Sequence, residues 1–239
     1  MESHRGIERC EKMDLLNRAW RCAAAYAGIR KLNRLADSQL DRPKEMIAST
    51  FHYRGGFLRP IQIEEELARL LEDVRTLKPS TVLEIGTSMG GTLFLWTRLA
   101  QPNATIVSVD LPGGKFGGGY SFLRIPIYRR FARREQTLHL MRANSHQDAT
   151  LKQVKSRFGL HQVDLLFIDG DHTYEGVKMD WEMYSPLVRE GGLVVFHDVA
   201  GNYEDTQVKR LWDSIKTGYE HREYMVHPNA LYGIGVLFK

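Results

Sequence analysis

The sequence has few cysteines and no long apolar run. Only two of its 239 residues are cysteine, Cys10 and Cys22, which is too few for a disulfide framework and fits no metal motif. We therefore expect free thiols and a cytoplasmic location. No run approaches the roughly 20 apolar residues that a membrane helix requires. No segment has the pattern of a signal peptide, so we predict no membrane association.

Charge of one sign does not dominate the chain either. The 33 basic and 29 acidic residues leave a formal net charge of +4, which is too weak by itself to indicate a nucleic-acid-binding protein. An anionic small substrate or an acidic partner surface is equally compatible with this charge. With 43% hydrophobic residues, the length suits one sizeable α/β domain.

Short apolar runs alternate with helical patterns along most of the chain. Strands are predicted at 82–85, 105–109, 137–141, 163–168, 193–196, 223–226 and 231–238. Helices are predicted at 63–77, 92–100, 147–158, 174–187 and 205–217. The short turn at 227–230 predicts a hairpin, so the last strand is expected to be antiparallel. The pattern predicts an α/β fold, Rossmann-like and doubly wound, with a seven-stranded, mostly parallel sheet and helices on both faces.

The first 60 residues precede this alternating pattern. Apolar residues at helical spacing from Leu15 to Ala27 predict an extra amphipathic helix that lies on the domain or on a second subunit. The aromatic segment 47–61 is predicted to be an ordered loop. We therefore divide the chain into an N-terminal helical extension, 1–60, and one α/β domain, 61–239. The long helix is compatible with a homodimer or a higher homo-oligomer.

A glycine-rich turn follows the first strand and opens a helix. Its candidate ligand-binding residues are Glu84, Gly86, Thr87, Ser88, Gly90 and Gly91. A strand, a tight glycine turn and a helix start form a cradle for nucleotide-like ligands. The spacing differs from the Gly-x-Gly-x-x-Gly of dinucleotide-binding proteins. Asp110 ends the next strand, which is the usual position of an acceptor for a pair of ribose hydroxyls.

Polar and basic residues flank the third strand. Asn144 and Ser145 follow it and are predicted to face an adenine ring. Segment 111–136 precedes it and combines a glycine-dense loop with five arginines: Arg124, Arg129, Arg130, Arg133 and Arg134. A glycine-hinged segment beside a ligand site is a candidate lid. The arginines either attract an anionic substrate or form a solvated basic face.

Acidic and imidazole side chains follow the fourth and fifth strands. They are Asp169 and His172 after the fourth strand, and His197 and Asp198 after the fifth. Because parallel strands end at one edge of the sheet, Asp169 and Asp198 are expected to converge. With His197 they form a candidate site for Mg²⁺ or Mn²⁺. An imidazole is a poor Mg²⁺ ligand, so His197 could instead bind the backbone and leave the ion to the two acids.

These residues resemble a known family. Glu84-x-Gly86 resembles motif I of the class I S-adenosylmethionine (SAM) methyltransferases. The stretches 166–177 and 191–198 resemble the cephalosporin-hydroxylase and macrolide-sugar O-methyltransferase group, and catechol-type O-methyltransferases more distantly. The resemblance covers about residues 60–238. It implies SAM as the cofactor, with Asp169 near it, and Asp169, His197 and Asp198 as the metal ligands. His197 departs from that group, in which the metal-dependent relatives carry a carboxylate.

The resemblance implies a SAM-dependent O-methyltransferase that acts on a hydroxyl of a small sugar- or natural-product-like molecule. SAM carries an activated methyl group, so the protein must align the acceptor and remove its proton. We hypothesise that Asp169 and Asp198 hold Mg²⁺ or Mn²⁺ on the substrate hydroxyl and that His172 is the catalytic base. The alternative for His172 is a capping or packing role at a helix start.

Other functions stay open from the sequence. An NAD-dependent oxidoreductase would share the sheet, although the glycine spacing and the C-terminal hairpin oppose it. A catalytically inert SAM-binding protein is compatible with the departure at His197. A nucleic-acid methyltransferase is disfavoured because the Asn/Asp-Pro-Pro-aromatic signature of amino-methylating enzymes is absent after the fourth strand.

Overall fold

The computed structural model describes residues 2–113, 119–201, 206–227 and 229–239, with side chains from residue 16 onward. The helices are α1 (Glu2–Asp37), α2 (Pro43–Phe51), α3 (Glu64–Leu77), α4 (Gly91–Leu99), α5 (Ile125–Tyr128), α6 (Asp148–Phe158), α7 (Tyr174–Tyr184) and α8 (Val208–Ile215). The strands are β1 (Thr81–Ile85), β2 (Thr105–Asp110), β3 (Thr137–Arg142), β4 (Val163–Ile168), β5 (Val188–His197), β6 (Glu220–Tyr224) and β7 (Ile234–Phe238). Parts of three predicted features lie outside the described residues: 114–118 of the lid loop, the first residue of helix 205–217, and Pro228 of the hairpin turn.

The seven strands form one sheet in the order β3-β2-β1-β4-β5-β7-β6. Strands β1 to β5 pair in parallel, whereas β7 runs antiparallel to both of its neighbours, β5 and β6. The chain order reverses between β1 and β4, which is where open α/β sheets bind ligands. The predicted Rossmann-like fold, with its antiparallel C-terminal strand and extra N-terminal helix, is confirmed.

Two apolar layers cover the two faces of the sheet. Because successive side chains of a strand point to opposite faces, Val82 belongs to a core cluster that includes residues of α1 to α5, whereas Leu83 belongs to one that includes residues of α6 to α8. Ile29 and Met46 of the N-terminal extension belong to the same core cluster as Val82. The extension and the α/β domain therefore share one apolar core. Among the described helices, none combines the length and apolar character that crossing a membrane requires.

Several elements differ from the predicted ones. The aromatic segment 47–61 begins inside helix α2, which starts at Pro43, a residue whose fixed φ suits the first helical turn. Strand β6 lies at Glu220–Tyr224, earlier than the predicted 223–226. The basic stretch after the glycine-dense loop of segment 111–136 contains only a short 3₁₀ helix (Phe122–Arg124) and the short helix α5.

Candidate functional site

A cavity of about 550 Å³ opens at the carboxyl ends of the central strands. The predicted site residues that line it are Gly86, Thr87, Ser88, Asp110, Asn144, Ser145, Asp169, His172, His197 and Asp198. The predicted residues that do not line it are Glu84, Gly90 and Gly91. The strand ends thus bring most of the predicted residues to one place.

Asp110 lines the cavity and also anchors the glycine-rich turn after β1, residues 86–91, which we call the glycine loop. The backbone N–H groups of Thr87 and Ser88 donate to its Oδ2 at 3.0 and 2.8 Å. Burial raises the pKa of Asp110, although these backbone donors oppose the rise. Ser88 adopts a left-handed φ of 44°, a strained conformation of the kind that clusters at functional sites. At Gly86 a Cβ would lie 1.9 Å from the Asp169 carbonyl oxygen, so only glycine fits where β1 and β4 diverge.

The structure differs from the prediction at Glu84. Its carboxylate is fully buried below the glycine loop and outside the cavity. It accepts hydrogen bonds from Thr92 Oγ1 at 2.7 Å, Trp96 Nε1 at 3.0 Å and Ser108 Oγ at 3.0 Å. Burial raises the pKa of Glu84 to about 8 against the effect of these donors. Glu84 therefore ties α4 to strands β1 and β2 and is not among the residues that line the cavity.

Gly90 and Gly91 also differ from their predicted role of admitting a ligand. A Cβ at Gly90 would lie 2.6 Å from the ring of Tyr128, and one at Gly91 would lie 2.2 Å from the Leu58 carbonyl oxygen. Both glycines therefore admit neighbouring parts of the protein.

Arg124 and Tyr128 hold the glycine loop from outside, and we call this pair the clamp. Arg124 Nη1 donates to the Phe57 and Met89 carbonyls at 3.0 and 3.2 Å. Tyr128 Oη donates to the Ser88 carbonyl at 2.9 Å. The clamp joins the segment before α3 to the glycine loop.

Three of the five arginines of segment 111–136 bind other parts of the protein. Arg124 belongs to the clamp, Arg130 binds the hydroxyl of Tyr26, and Arg133 binds the Ala100 carbonyl. None of the five lines the described cavity, where an anionic-substrate contact would be expected, and the alternative of a solvated basic face stays a prediction.

Two acids and two histidines meet at the ends of β4 and β5, and we call them the acid–histidine cluster: Asp169, His172, His197 and Asp198. Asp169 Oδ1 lies 3.1 Å from His197 Nδ1 and 3.6 Å from His172 Nε2. Asp198 lies 2.8 Å from His172 Nδ1 and 3.4 Å from His197 Nδ1. Asp198 has a left-handed φ of 65°, a second strained residue at the cavity.

The charges in the cluster support one another. Burial alone would lower the pKa of each histidine, but the neighbouring carboxylates have the larger, opposite effect. They raise the pKa of His172, and they raise that of His197 to about 10. Burial alone would raise the pKa of Asp198, but His172 and His197 lower it. At neutral pH His197 is therefore an imidazolium paired with carboxylates.

Part of the cluster has the donors for a divalent ion. Asp169, His172 and Asp198 each offer a ligand atom, and these atoms lie within 4.8 Å of one another. This set differs from the predicted one, in which His197 is the third ligand. His197 directs Nδ1 at both carboxylates, and its buried Nε2 has no hydrogen-bond partner among the described residues. Two carboxylates and one imidazole fit a divalent ion without selecting Mg²⁺.

Two further residues line the cavity and are not predicted from the sequence, Gln62 and His146. Gln62 is 4% exposed, and its Nε2 donates to Asp169 Oδ2 at 2.6 Å. His146 Nε2 lies 3.3 Å from Oδ1 of the buried Asp180, and the proximity of Asp180 raises the pKa of His146. Neither residue belongs to a motif or ends a strand, so no local pattern marks it.

A family model matches the centre of the chain. Residues 83–199 match Methyltransf_24, described as a methyltransferase domain. The chain is 26% identical to protein y4gI of Sinorhizobium fredii, described as uncharacterized, over 69% of this chain and 18% of that protein. The chain therefore spans less than a fifth of the length of the curated relatives that it matches.

Solved structures share the fold. The O-methyltransferase from Bacillus cereus in complex with S-adenosylhomocysteine (SAH) superposes with a TM-score of 0.55 at 17% identity, covering 84% of this chain and 91% of that chain. The MycE methyltransferase of the mycinamycin biosynthetic pathway, in complex with Mg and SAH, has a TM-score of 0.52 at 21% identity, covering 82% of this chain and 54% of that chain.

Proposed function

We propose that the protein transfers a methyl group from SAM to a hydroxyl of a small molecule, a proposal supported by the match of residues 83–199 to a methyltransferase domain. The observation that carries the proposal is that one cavity joins the glycine loop and Asp110 to the acid–histidine cluster. A ligand cradle and a group of proton acceptors are the two parts that O-methyl transfer requires.

In this proposal the nucleoside half of SAM lies against β2 and β3. Asp110 accepts the ribose hydroxyls, while Asn144 and Ser145 face the adenine. The backbone donors that fix the glycine loop on Asp110 support this placement, because they position the loop before any ligand arrives. The methionine half then extends toward Asp169.

The acid–histidine cluster prepares the acceptor. Asp169 and Asp198 would hold a divalent ion, with His172 as a third donor, and such an ion lowers the pKa of a bound hydroxyl and orients it. His172 removes the proton of the acceptor when the two carboxylates hold the ion alone. The Mg in the MycE complex supports this part of the proposal by analogy of fold. A sugar- or natural-product-like acceptor suits a cavity of about 550 Å³ better than a nucleic acid does.

Calorimetric titration tests the cofactor. Purified protein is titrated with SAM and SAH, with and without Mg²⁺ or Mn²⁺, and with NAD⁺ as the control. We expect micromolar binding of SAM and SAH and no binding of NAD⁺. Binding of NAD⁺ without SAM would support the oxidoreductase, and SAM binding without turnover on any hydroxylated acceptor would support an inert SAM-binding protein.

Removal of the metal and of its carboxylates tests the cluster. A chelator and the variant Asp198→Asn should each strongly reduce turnover while SAH binding persists, because the nucleoside contacts proposed for the cofactor, at Asp110, Asn144 and Ser145, involve neither the ion nor Asp198. His172→Ala should cost about 10²–10⁴-fold, the usual worth of a general base. Turnover that survives both chelation and Asp198→Asn would exclude metal assistance, and a loss below about tenfold would exclude His172 as the base.

If His172 is the base, turnover should increase with pH. His172 accepts a proton only when it is neutral, and its carboxylate neighbours raise its pKa above the usual 6.5. Turnover should therefore rise with pH on the alkaline side of 6.5 and level off once His172 is neutral. A pH profile of turnover at saturating SAM measures this rise, and a profile that falls over the same range would contradict the assignment.

A further inference from the structure

Gln62 touches the acid–histidine cluster from outside the matched methyltransferase domain. It lies between α2 and α3, in the segment that the clamp holds at the Phe57 carbonyl. Its side chain lines the cavity and is almost fully buried. The segment before α3 therefore contributes a side chain to the cluster itself.

The contact between Gln62 and Asp169 has only one chemically acceptable orientation. A carboxylate accepts hydrogen bonds, so the amide must present Nε2 to Asp169 Oδ2, at 2.6 Å. The amide Oε1 then remains buried with no partner among the described residues. A buried acceptor without a partner lowers stability, so this glutamine is a poor choice if packing is its only role.

The hydrogen bond determines which oxygen of Asp169 faces the histidines. With Oδ2 held by Gln62, Oδ1 is the oxygen that lies 3.1 Å from His197 Nδ1 and 3.6 Å from His172 Nε2. A carboxylate without this bond could rotate about its Cβ–Cγ bond and present either oxygen. Partners of this kind orient the groups that hold a metal or a substrate.

We propose that Gln62 is a positioning residue, which fixes the Asp169 carboxylate so that its Oδ1 serves the acid–histidine cluster. The role in methyl transfer rests on the proposed function, whereas the orientation of Asp169 does not. Gln62 acts through Asp169 and has no assigned contact with SAM or the acceptor.

The chain offers a matched control for a test. Gln39 is also a buried glutamine whose Oε1 has no partner among the described residues, and it does not line the cavity. Gln62→Met and Gln39→Met therefore delete the same chemical group at similar burial. A general effect of losing a buried amide should appear in both variants.

The first measurement is proton NMR of the downfield region, where a buried imidazole N–H bonded to a carboxylate gives a separate signal. The signal of His197 Nδ1–H is assigned by its loss in His197→Gln. We expect Gln62→Met to shift or broaden this signal and Gln39→Met to leave it unchanged. An unchanged signal in folded Gln62→Met would overturn the proposal, with no need for metal, cofactor or turnover.

The second measurement is Mn²⁺ affinity by calorimetry. Loss of a partner that orients a metal ligand weakens metal binding roughly 10- to 100-fold, and we expect this for Gln62→Met but not for Gln39→Met. If the wild type binds no Mn²⁺, the metal part of the proposed function fails and the NMR result alone decides the role of Gln62. Should Gln62→Met not fold, Gln62→Asn replaces it, because its shorter amide cannot reach Asp169. An unchanged signal in that variant would equally overturn the proposal.

Discussion

At the scale of single residues, the carboxyl group of Glu84 couples folding to pH. Burial raises its pKa from 4.5 to about 8, so the folded protein holds a proton there that the unfolded chain releases. Between these two values the folded state binds more protons than the unfolded state. The contribution of Glu84 to stability is therefore largest at acidic pH and declines as the pH rises toward 8.

Replacing Glu84 by Gln tests this coupling. Glutamine has nearly the same shape and stays neutral, so Glu84→Gln should retain the fold. The wild type should lose more of its free energy of unfolding than the variant as the pH rises from about 5 to about 8. Denaturant titrations at several pH values measure the difference. Parallel pH profiles for the two proteins would show that Glu84 does not titrate in this range.

The sequence predicts some of these residues and misses others for a physical reason. Asp110, Asp169 and Asp198 are predictable because parallel strands end at one edge, so acids at those ends must converge. Glu84 precedes the strand end by one residue, and the alternation of the strand turns its side chain into the protein. Gln62 contacts Asp169 only through the tertiary fold, which no local pattern encodes.

At the scale of elements, the clamp fixes the glycine loop through the segment around α5. Tyr128 Oη donates to the Ser88 carbonyl, and Ser88 N–H in turn donates to Asp110. Tyr53 makes a similar bond elsewhere, from its hydroxyl to the Ala25 carbonyl at 2.6 Å. Removing the hydroxyl of Tyr128 or of Tyr53 therefore tests the same kind of hydrogen bond, beside the cavity in one case and away from it in the other.

Tyr128→Phe should lower both stability and cofactor affinity. Tyr128→Phe removes the bond to Ser88 and the longer bond that the hydroxyl accepts from Arg124 Nη1 at 3.3 Å, and Tyr53→Phe removes the bond to Ala25. Each bond is worth about 0.5–1.5 kcal/mol, so Tyr128→Phe should lose at least as much stability as Tyr53→Phe. Only Tyr128→Phe should also weaken SAH binding, by roughly two- to tenfold, because the loop that it holds lies at the cavity. Thermal melts and calorimetric titration give the two quantities. Equal SAH affinity in both variants would exclude a role for the clamp in binding.

Strands are predicted more accurately here than the elements around the cavity. The runs that form β1 and β4 are buried on both faces, so most of their side chains are apolar and the signal is strong. Segment 111–136 carries arginines and aromatics whose partners lie far away in the chain. Its composition therefore suggests a lid, but the sequence does not reveal that Arg124 and Tyr128 in this segment bind the glycine loop.

At the scale of the whole molecule, α1 has two apolar faces. Ile29 and Leu32 are buried against the domain, whereas Leu16 and Trp20 are 69% and 75% exposed on roughly the opposite side. Between residues 16 and 24 no side chain of α1 is buried. A helical segment without packing partners is marginally stable in water. We expect a second copy of the chain to cover the exposed face.

Charged substitutions on this face test self-association. Leu16→Lys combined with Trp20→Lys should leave the fold intact and convert a dimer to a monomer in analytical ultracentrifugation. Leu160→Lys is the control, because Leu160 is a fully exposed apolar residue in a different part of the molecule. A wild type that sediments as a monomer at high concentration would contradict the expected dimer.

The position of β7 in the sheet has a consequence for synthesis on the ribosome. Strand β7 follows β6 in the chain but lies between β5 and β6, so β6 cannot join the sheet until β7 has emerged. Until then β5, which carries His197 at its end, presents an unpaired edge beside the cavity. Unpaired strand edges are templates for pairing with other chains. The nascent protein is therefore most vulnerable to misassembly in the interval between the synthesis of β5 and that of β7.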